Sequence, residues 1–129
     1  MEGVPSHTLL IVDDDPFISD LLTRKFVDAG FKTVHAVNGA EAMKYLEGGL
    51  VPDAILLDLM MPVMDGYGVL AELHGSKIFS SIPVIVLSNV GNDEDLNKAR
   101  DLGARECLLK IDVPLDEVVS KIKAVCPQN

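Results

Sequence analysis

Short apolar runs alternate with helical patterns five times along this chain, and that alternation decides the fold class. The runs are Leu9–Val12, Thr33–Ala36, Ala54–Leu57, Val84–Leu87 and Cys107–Leu109. Most are continuously apolar, which suits strands covered on both faces. Thr33–Ala36 has the weaker pattern expected of an edge strand. The helical patterns between the runs have recognisable ends. Asp15-Pro16 is a cap followed by proline at the first helical position. Ile18, Leu21, Leu22 and Ala29 then share a face, and Gly30 stops the helix. Asn38 with Glu41 has capping-box spacing, and Gly48-Gly49 ends that helix. A third helix is expected from about Gly66 to His74, and a fourth between Asn92 and Gly103. In the last, Leu115, Val118, Val119, Ile122 and Cys126 form one stripe, so Cys126 is expected to be a partly buried end-of-stripe residue. Strand-then-helix order repeated in this way implies a parallel sheet with helices on both faces, and right-handed crossovers leave few topologies. We expect a single α/β domain spanning 1–129, with its core at about 8–126 and strand order 2-1-3-4-5.

Charge and cysteine content narrow the function. The 129 residues carry 20 Asp+Glu against 11 Lys+Arg, a formal net charge of −9. Such an acid excess argues against a nucleic-acid partner and against an anionic membrane surface. No apolar run approaches the ~20 residues that span a bilayer, and Met1 to His7 does not have the pattern of a signal peptide. Cys107 and Cys126 are too few for a disulfide scaffold and fit a reducing cytoplasm. No Cys/His cluster has zinc spacing.

In a doubly wound sheet, ligands bind beyond the carboxyl ends of the strands, at the switch point between strands 1 and 3. Asp13, Asp14 and Asp15 follow strand 1. Strand 3 ends in Asp58, with Leu59-Met60-Met61-Pro62 after it. Ser88-Asn89 follows strand 4, and strand 5 ends in Lys110. These polar ends should converge. Grouped carboxylates repel and are costly to bury, and a hard divalent cation removes that cost. Mg²⁺ takes oxygen ligands, commonly one or two carboxylates plus other oxygens. Asp13, Asp14 and Asp58 supply carboxylates, and the Met60 carbonyl could fill another position. Asp58 can also act as a nucleophile on phosphorus. Lys110 suits a phosphoryl oxygen, and the Ser88 hydroxyl can donate to another. Simpler roles exist for each: Asp15 is most economically the helix cap, Asp13 and Asp14 could favour a helix N-terminus, and Ser88 and Lys110 taken singly are ordinary surface or strand-end residues.

The stretches LLIVDDDP, DAILLDLMMPVMDG, IPVIVLSN and GARECLLK resemble the receiver domain of two-component response regulators, of the chemotaxis-regulator type. Their spacing matches too: 45 residues from Asp13 to Asp58, 30 more to Ser88 and 22 more to Lys110. The resemblance covers nearly the whole chain. It implies the flavodoxin-like, doubly wound fold and a phosphorelay function, with Asp58 phosphorylated by a sensor histidine kinase or a histidine phosphotransfer protein. It further implies Asp13 and Asp14 as the acidic pair for Mg²⁺ or Mn²⁺, with Asp14 the more direct ligand and the Met60 carbonyl contributing. Ser88 and Lys110 become the partners of the phosphoryl group. The family catalyses only its own phosphorylation and slow dephosphorylation, so the chain is not expected to be an enzyme in the usual sense. A target protein is expected on the helix 4–strand 5–helix 5 face, with no output domain following residue 129.

Three departures from the family pattern involve four positions. Ile111 stands where a proline preceded by a cis peptide is usual. A non-proline cis bond costs about 2.5–4 kcal/mol, so this loop is either strained or rearranged to trans. Cys107 stands where an aromatic switch residue is common. Met60 and Val90 stand where polar side chains would position a hydrolytic water, so slow autodephosphorylation is expected. Other classes fit less well. A phosphatase of the haloacid-dehalogenase type shares the aspartate nucleophile and Mg²⁺, but Phe17 stands where its motif needs Thr or Val. A flavin module would need hydroxyls and glycines where VDDDP is acidic. A phosphorylation-independent pseudo-receiver would not need Asp13, Asp14, Asp58, Ser88 and Lys110 intact.

Overall fold

The computed structural model describes residues 7–89 and 91–127. The elements run β1 (Thr8–Val12), α1 (Pro16–Asp28), β2 (Lys32–Ala36), α2 (Gly39–Glu47), β3 (Ala54–Leu57), α3 (Gly66–His74), β4 (Val84–Ser88), α4 (Asp93–Asp101), β5 (Glu106–Leu109) and α5 (Leu115–Val125). The five strands are parallel in the order β2-β1-β3-β4-β5, the expected topology. Some ends differ by one residue: β4 takes in Ser88, while Asp58 and Lys110 lie just past β3 and β5 rather than within them.

The two-residue period of the strands sorts the core into two clusters, one on each side of the sheet. Leu10, Val12, Ile55, Leu57, Val84 and Val86 face α2, α3 and α4. Leu9, Ile11, Ala54, Leu56, Ile85 and Leu87 face α1 and α5. At about 25 cal/mol per Å² of buried apolar surface, these two clusters dominate the folding energy. The apolar runs of the three central strands are continuous because helices cover both faces of the sheet. β2 and β5 are the two edge strands: only Ala36 is buried in β2, and every residue of β5 is partly exposed.

Side chains start four of the described helices. Asp15 accepts from the Phe17 and Ile18 amides, Asn38 from Glu41, Asp65 from Gly68 and Asn92 from Asp95. Glu41 also reaches back, but to the Val37 N–H at 3.1 Å, one residue before the cap. The α1 stripe differs from the expectation. Ser19, Leu22 and Phe26 are buried, whereas Leu21 is 36% exposed. Leu21 lies roughly 100° round the helix from Leu22, away from the line set by Leu22 and Phe26. Phe26 meets Phe31 edge-on, with ring centroids 5.1 Å apart. Cys126 ends the α5 stripe, as expected, but is buried rather than partly buried.

Candidate functional site

The hydrogen-bond ladder runs one residue beyond three of the strands and so fixes the backbone of the site. The Asp13 N–H donates to Ala36 at 3.1 Å, Asp58 to Val12 at 2.9 Å and Lys110 to Ser88 at 2.9 Å. These bonds bring Asp13, Asp58, Ser88 and Lys110 to one edge of the sheet. Asp13, Asp58 and Ser88 are buried there, while Asp14 is exposed. Asp15 caps α1, the simple role expected of it.

Lys110 lies between the two buried acids. Its Nζ is 2.8 Å from Asp13 Oδ2 and 3.5 Å from Asp58 Oδ2. The other Asp13 oxygen accepts the Asp15 N–H at 2.9 Å. Asp58 Oδ1 has only a long contact, 3.5 Å, from the Met60 N–H. Oxygens of Asp13, Asp14 and Asp58 lie within 4.8 Å of one another. Burial and then the Asp13 charge push the Asp58 carboxyl up to about 6, against the opposing pull of Lys110 and the Met60 amide. Burial works to lower the Lys110 pKa, but the Asp13 hydrogen bond and the two carboxylate charges outweigh it and leave it raised. The three crowded carboxylates form a hard-oxygen donor set that could hold a metal ion, with the largely buried Lys110 ammonium beside it.

A glycine not anticipated as part of the site holds the loop after β3 against Asp58. A Cβ on Gly66 would come within 2.4 Å of the Asp58 carbonyl oxygen and 2.8 Å of Leu59 Cα. The Gly66 N–H also donates to Leu59 O at 2.9 Å. The Asp65-Gly66 pair, a cap followed by a residue without Cβ, is the sequence signal for it. Val63 in the same loop has φ of 71°, a strained conformation for a β-branched residue. Two residues from α1 and β2 also reach Asp13. His35 Nε2 and Ser19 Oγ approach its carbonyl oxygen at 2.8 and 3.3 Å. No linear motif marks this pair.

No cis peptide bond occurs among the described residues, so Lys110–Ile111 is trans, the rearranged alternative. Ile111 is 84% exposed. Cys107 is half-buried, and its Sγ lies 3.8 Å from Leu96 O. Burial pushes its thiol pKa up. An aromatic ring reaches α4 from α3 instead: the Tyr67 hydroxyl donates to Asp95 O at 3.3 Å, and Lys98 Nζ lies 4.4 Å from the ring centroid. Met60 is 59% exposed, and Val90 lies outside the described residues.

The model of the response regulator receiver domain family matches residues 9–123. A curated relative, the DNA-binding dual master transcriptional regulator RpaA of a Synechocystis species, is 36% identical over 91% of this chain and 48% of its own. The chain spans about half the length of the curated relatives it matches. Among solved structures, the receiver domain of a signal transduction histidine kinase from Syntrophus aciditrophicus superposes with a TM-score of 0.85 at 31% identity, covering 93% of this chain and 89% of that one. The phosphorylated cyanobacterial phytochrome response regulator RcpA gives 0.81 at 29%, covering 94% and 91%. Chemotaxis regulators share the fold as well. The expectation of no nucleic-acid partner is not supported, because RpaA carries DNA-binding in its name. Net charge describes this chain's own surface and says nothing of longer relatives. Among the described residues no helix is long and apolar enough to cross a membrane.

Proposed function

The chain belongs to the response regulator receiver domain family, and from that premise we propose that it is a phosphorylation-controlled binding module of the cytoplasm with Asp58 as phosphoacceptor. One observation carries this reading: a buried carboxylate stands beside a second buried carboxylate and a lysine at the switch point of the sheet.

The donor is the phosphohistidine of a sensor kinase or phosphotransfer protein, or a small acyl phosphate. With its carboxyl at about 6, Asp58 is mostly ionised at neutral pH and so nucleophilic. Its oxygen attacks phosphorus, the bond from phosphorus to the donor breaks, and the donor leaves with the electron pair. A divalent cation, Mg²⁺ or Mn²⁺, held by Asp13, Asp14, Asp58 and the Met60 carbonyl, would supply charge neutralisation for carboxylate and phosphoryl oxygens. Lys110 can follow the new charge with its ammonium, and the Ser88 hydroxyl donates to a phosphoryl oxygen. The added charge biases the α4–β5–α5 face toward a target protein. Met60 offers no polar side chain to orient water, so the phosphoryl group leaves slowly. A half-life of seconds would contradict that part.

The test incubates wild type and Asp58→Asn with acetyl phosphate and Mg²⁺ and measures intact mass. A phosphoryl adduct on wild type alone is expected. An adduct that persists in the variant overturns the Asp58 assignment. No adduct on wild type, with no Mg²⁺-dependent binding of beryllium fluoride, favours a phosphorylation-independent receiver.

A further inference from the structure

Asp14 is the exposed member of the carboxylate group, and the direction of its side chain depends on the peptide that joins it to Asp13. The carbonyl oxygen of that peptide receives two side-chain donors from different elements, His35 Nε2 at 2.8 Å and Ser19 Oγ at 3.3 Å. A carbonyl oxygen only accepts, so the proton on His35 sits on Nε2. Register explains the convergence. His35 pairs with Ile11 on β1 and so projects to the α1 side of the sheet, where Ser19 is buried in the first half of α1. The preceding peptide is anchored to β2 too, its Asp13 N–H donating to Ala36 O at 3.1 Å. The peptide plane between Asp13 and Asp14 is therefore fixed from β2 and α1, two elements that contribute no carboxylate to the site.

We infer that His35, assisted by Ser19, is a positioning residue that aims Asp14 into the metal site by holding the Asp13 carbonyl. This inference rests on the metal-dependent reading given above. It concerns affinity for the cation rather than the phosphoryl step itself, because neither side chain reaches the Asp58 carboxylate by any hydrogen bond described. The donor is what counts: a side chain that fills the same space without an N–H leaves the peptide free to rotate and Asp14 free to swing outward. Groups that hold a metal ligand in place commonly account for ten- to hundredfold in affinity.

Calorimetric titration of Mg²⁺ into the full chain tests this in wild type, His35→Leu, His35→Gln and Ser19→Ala. Gln places an amide N–H near the position of Nε2, and Leu removes the donor. We expect His35→Leu to weaken Mg²⁺ binding roughly tenfold, Ser19→Ala by less, and His35→Gln to stay within about twofold of wild type. The half-saturation point of the acetyl phosphate reaction in Mg²⁺ should move with the affinity. Equal affinity in wild type and His35→Leu overturns the assignment of His35 alone. Equal weakening in His35→Leu and His35→Gln also overturns it, since shape rather than the donor would then be responsible. A wild type that binds no Mg²⁺ overturns the inference together with the reading beneath it.

Discussion

At the amino-terminal edge of the sheet, the Asp53 carboxylate accepts the Thr8 N–H at 2.7 Å and lies 3.6 Å from His7 Nδ1. At the carboxyl-terminal edge, Asp13, Asp14 and Asp58 crowd together with Lys110 as the ammonium between the buried pair. Both edges place aspartate at the end of a strand, but the first matches an acid with its donors and the second leaves acids in excess. The first arrangement ties β1 to β3 and is complete in itself. The second carries unbalanced charge in a buried place, which is costly unless something else occupies the site. Unbalanced charge is thus the better marker of function than the presence of aspartate.

The sharpest test of that contrast is Asp58→Asn, which should abolish the phosphoryl adduct completely by intact mass while Asp53→Asn leaves it in place. Next, Lys110→Ala removes the ammonium beside the two buried acids, and the acetyl phosphate reaction should slow roughly 100-fold, the scale of losing one charge-stabilising donor. A third test is pH. Asp58 has a folded pKa of about 6, above the ordinary value of 3.8. Its ionised form is therefore disfavoured by folding, so its destabilising effect is absent below the lower value and fully present above the higher. Without metal, Asp58→Asn should match wild type in urea denaturation near pH 4 and exceed it near pH 7.5 by on the order of 2 kcal/mol. Mg²⁺ should shrink that gap. The smallest effect belongs to the balanced edge: Asp53→Asn should cost about 1 kcal/mol in urea denaturation near pH 7.5 and leave phosphorylation rates unchanged.

The contrast also marks where sequence alone was informative. A parallel sheet covered by helices followed from the alternation of apolar runs with capped helices, and the fixed hand of crossovers left few topologies, of which the order 2-1-3-4-5 is one. Asp13, Asp58, Ser88 and Lys110 could be placed together because each ends or follows a strand in a sheet whose carboxyl ends share one edge. Gly66 was legible only as a helix start, since its closeness to Asp58 O comes from how the loop folds back. His35 and Ser19 were not legible as neighbours of Asp13, because their meeting depends on the pairing of β2 with β1, a register that no linear spacing states. Leu21 shows a similar limit within one helix: apolar residues next to each other in sequence need not share a face.

One feature of α5 extends past the site. The other described helices begin with a side-chain cap, but α5 begins at Pro114 with none, and the Glu117 and Val118 amides both turn to the Pro114 carbonyl. Among helix starts, it is the one whose first turn opens at least cost, worth about 1 kcal/mol less protection than a capped one. That turn lies a few residues beyond Lys110, which is anchored to β4 on its other side by the Ser88 carbonyl. In hydrogen exchange, protection should therefore fall abruptly between Lys110 and the first turn of α5. The lysine stands where the slow clock of the sheet gives way to the fast one of a fraying helix.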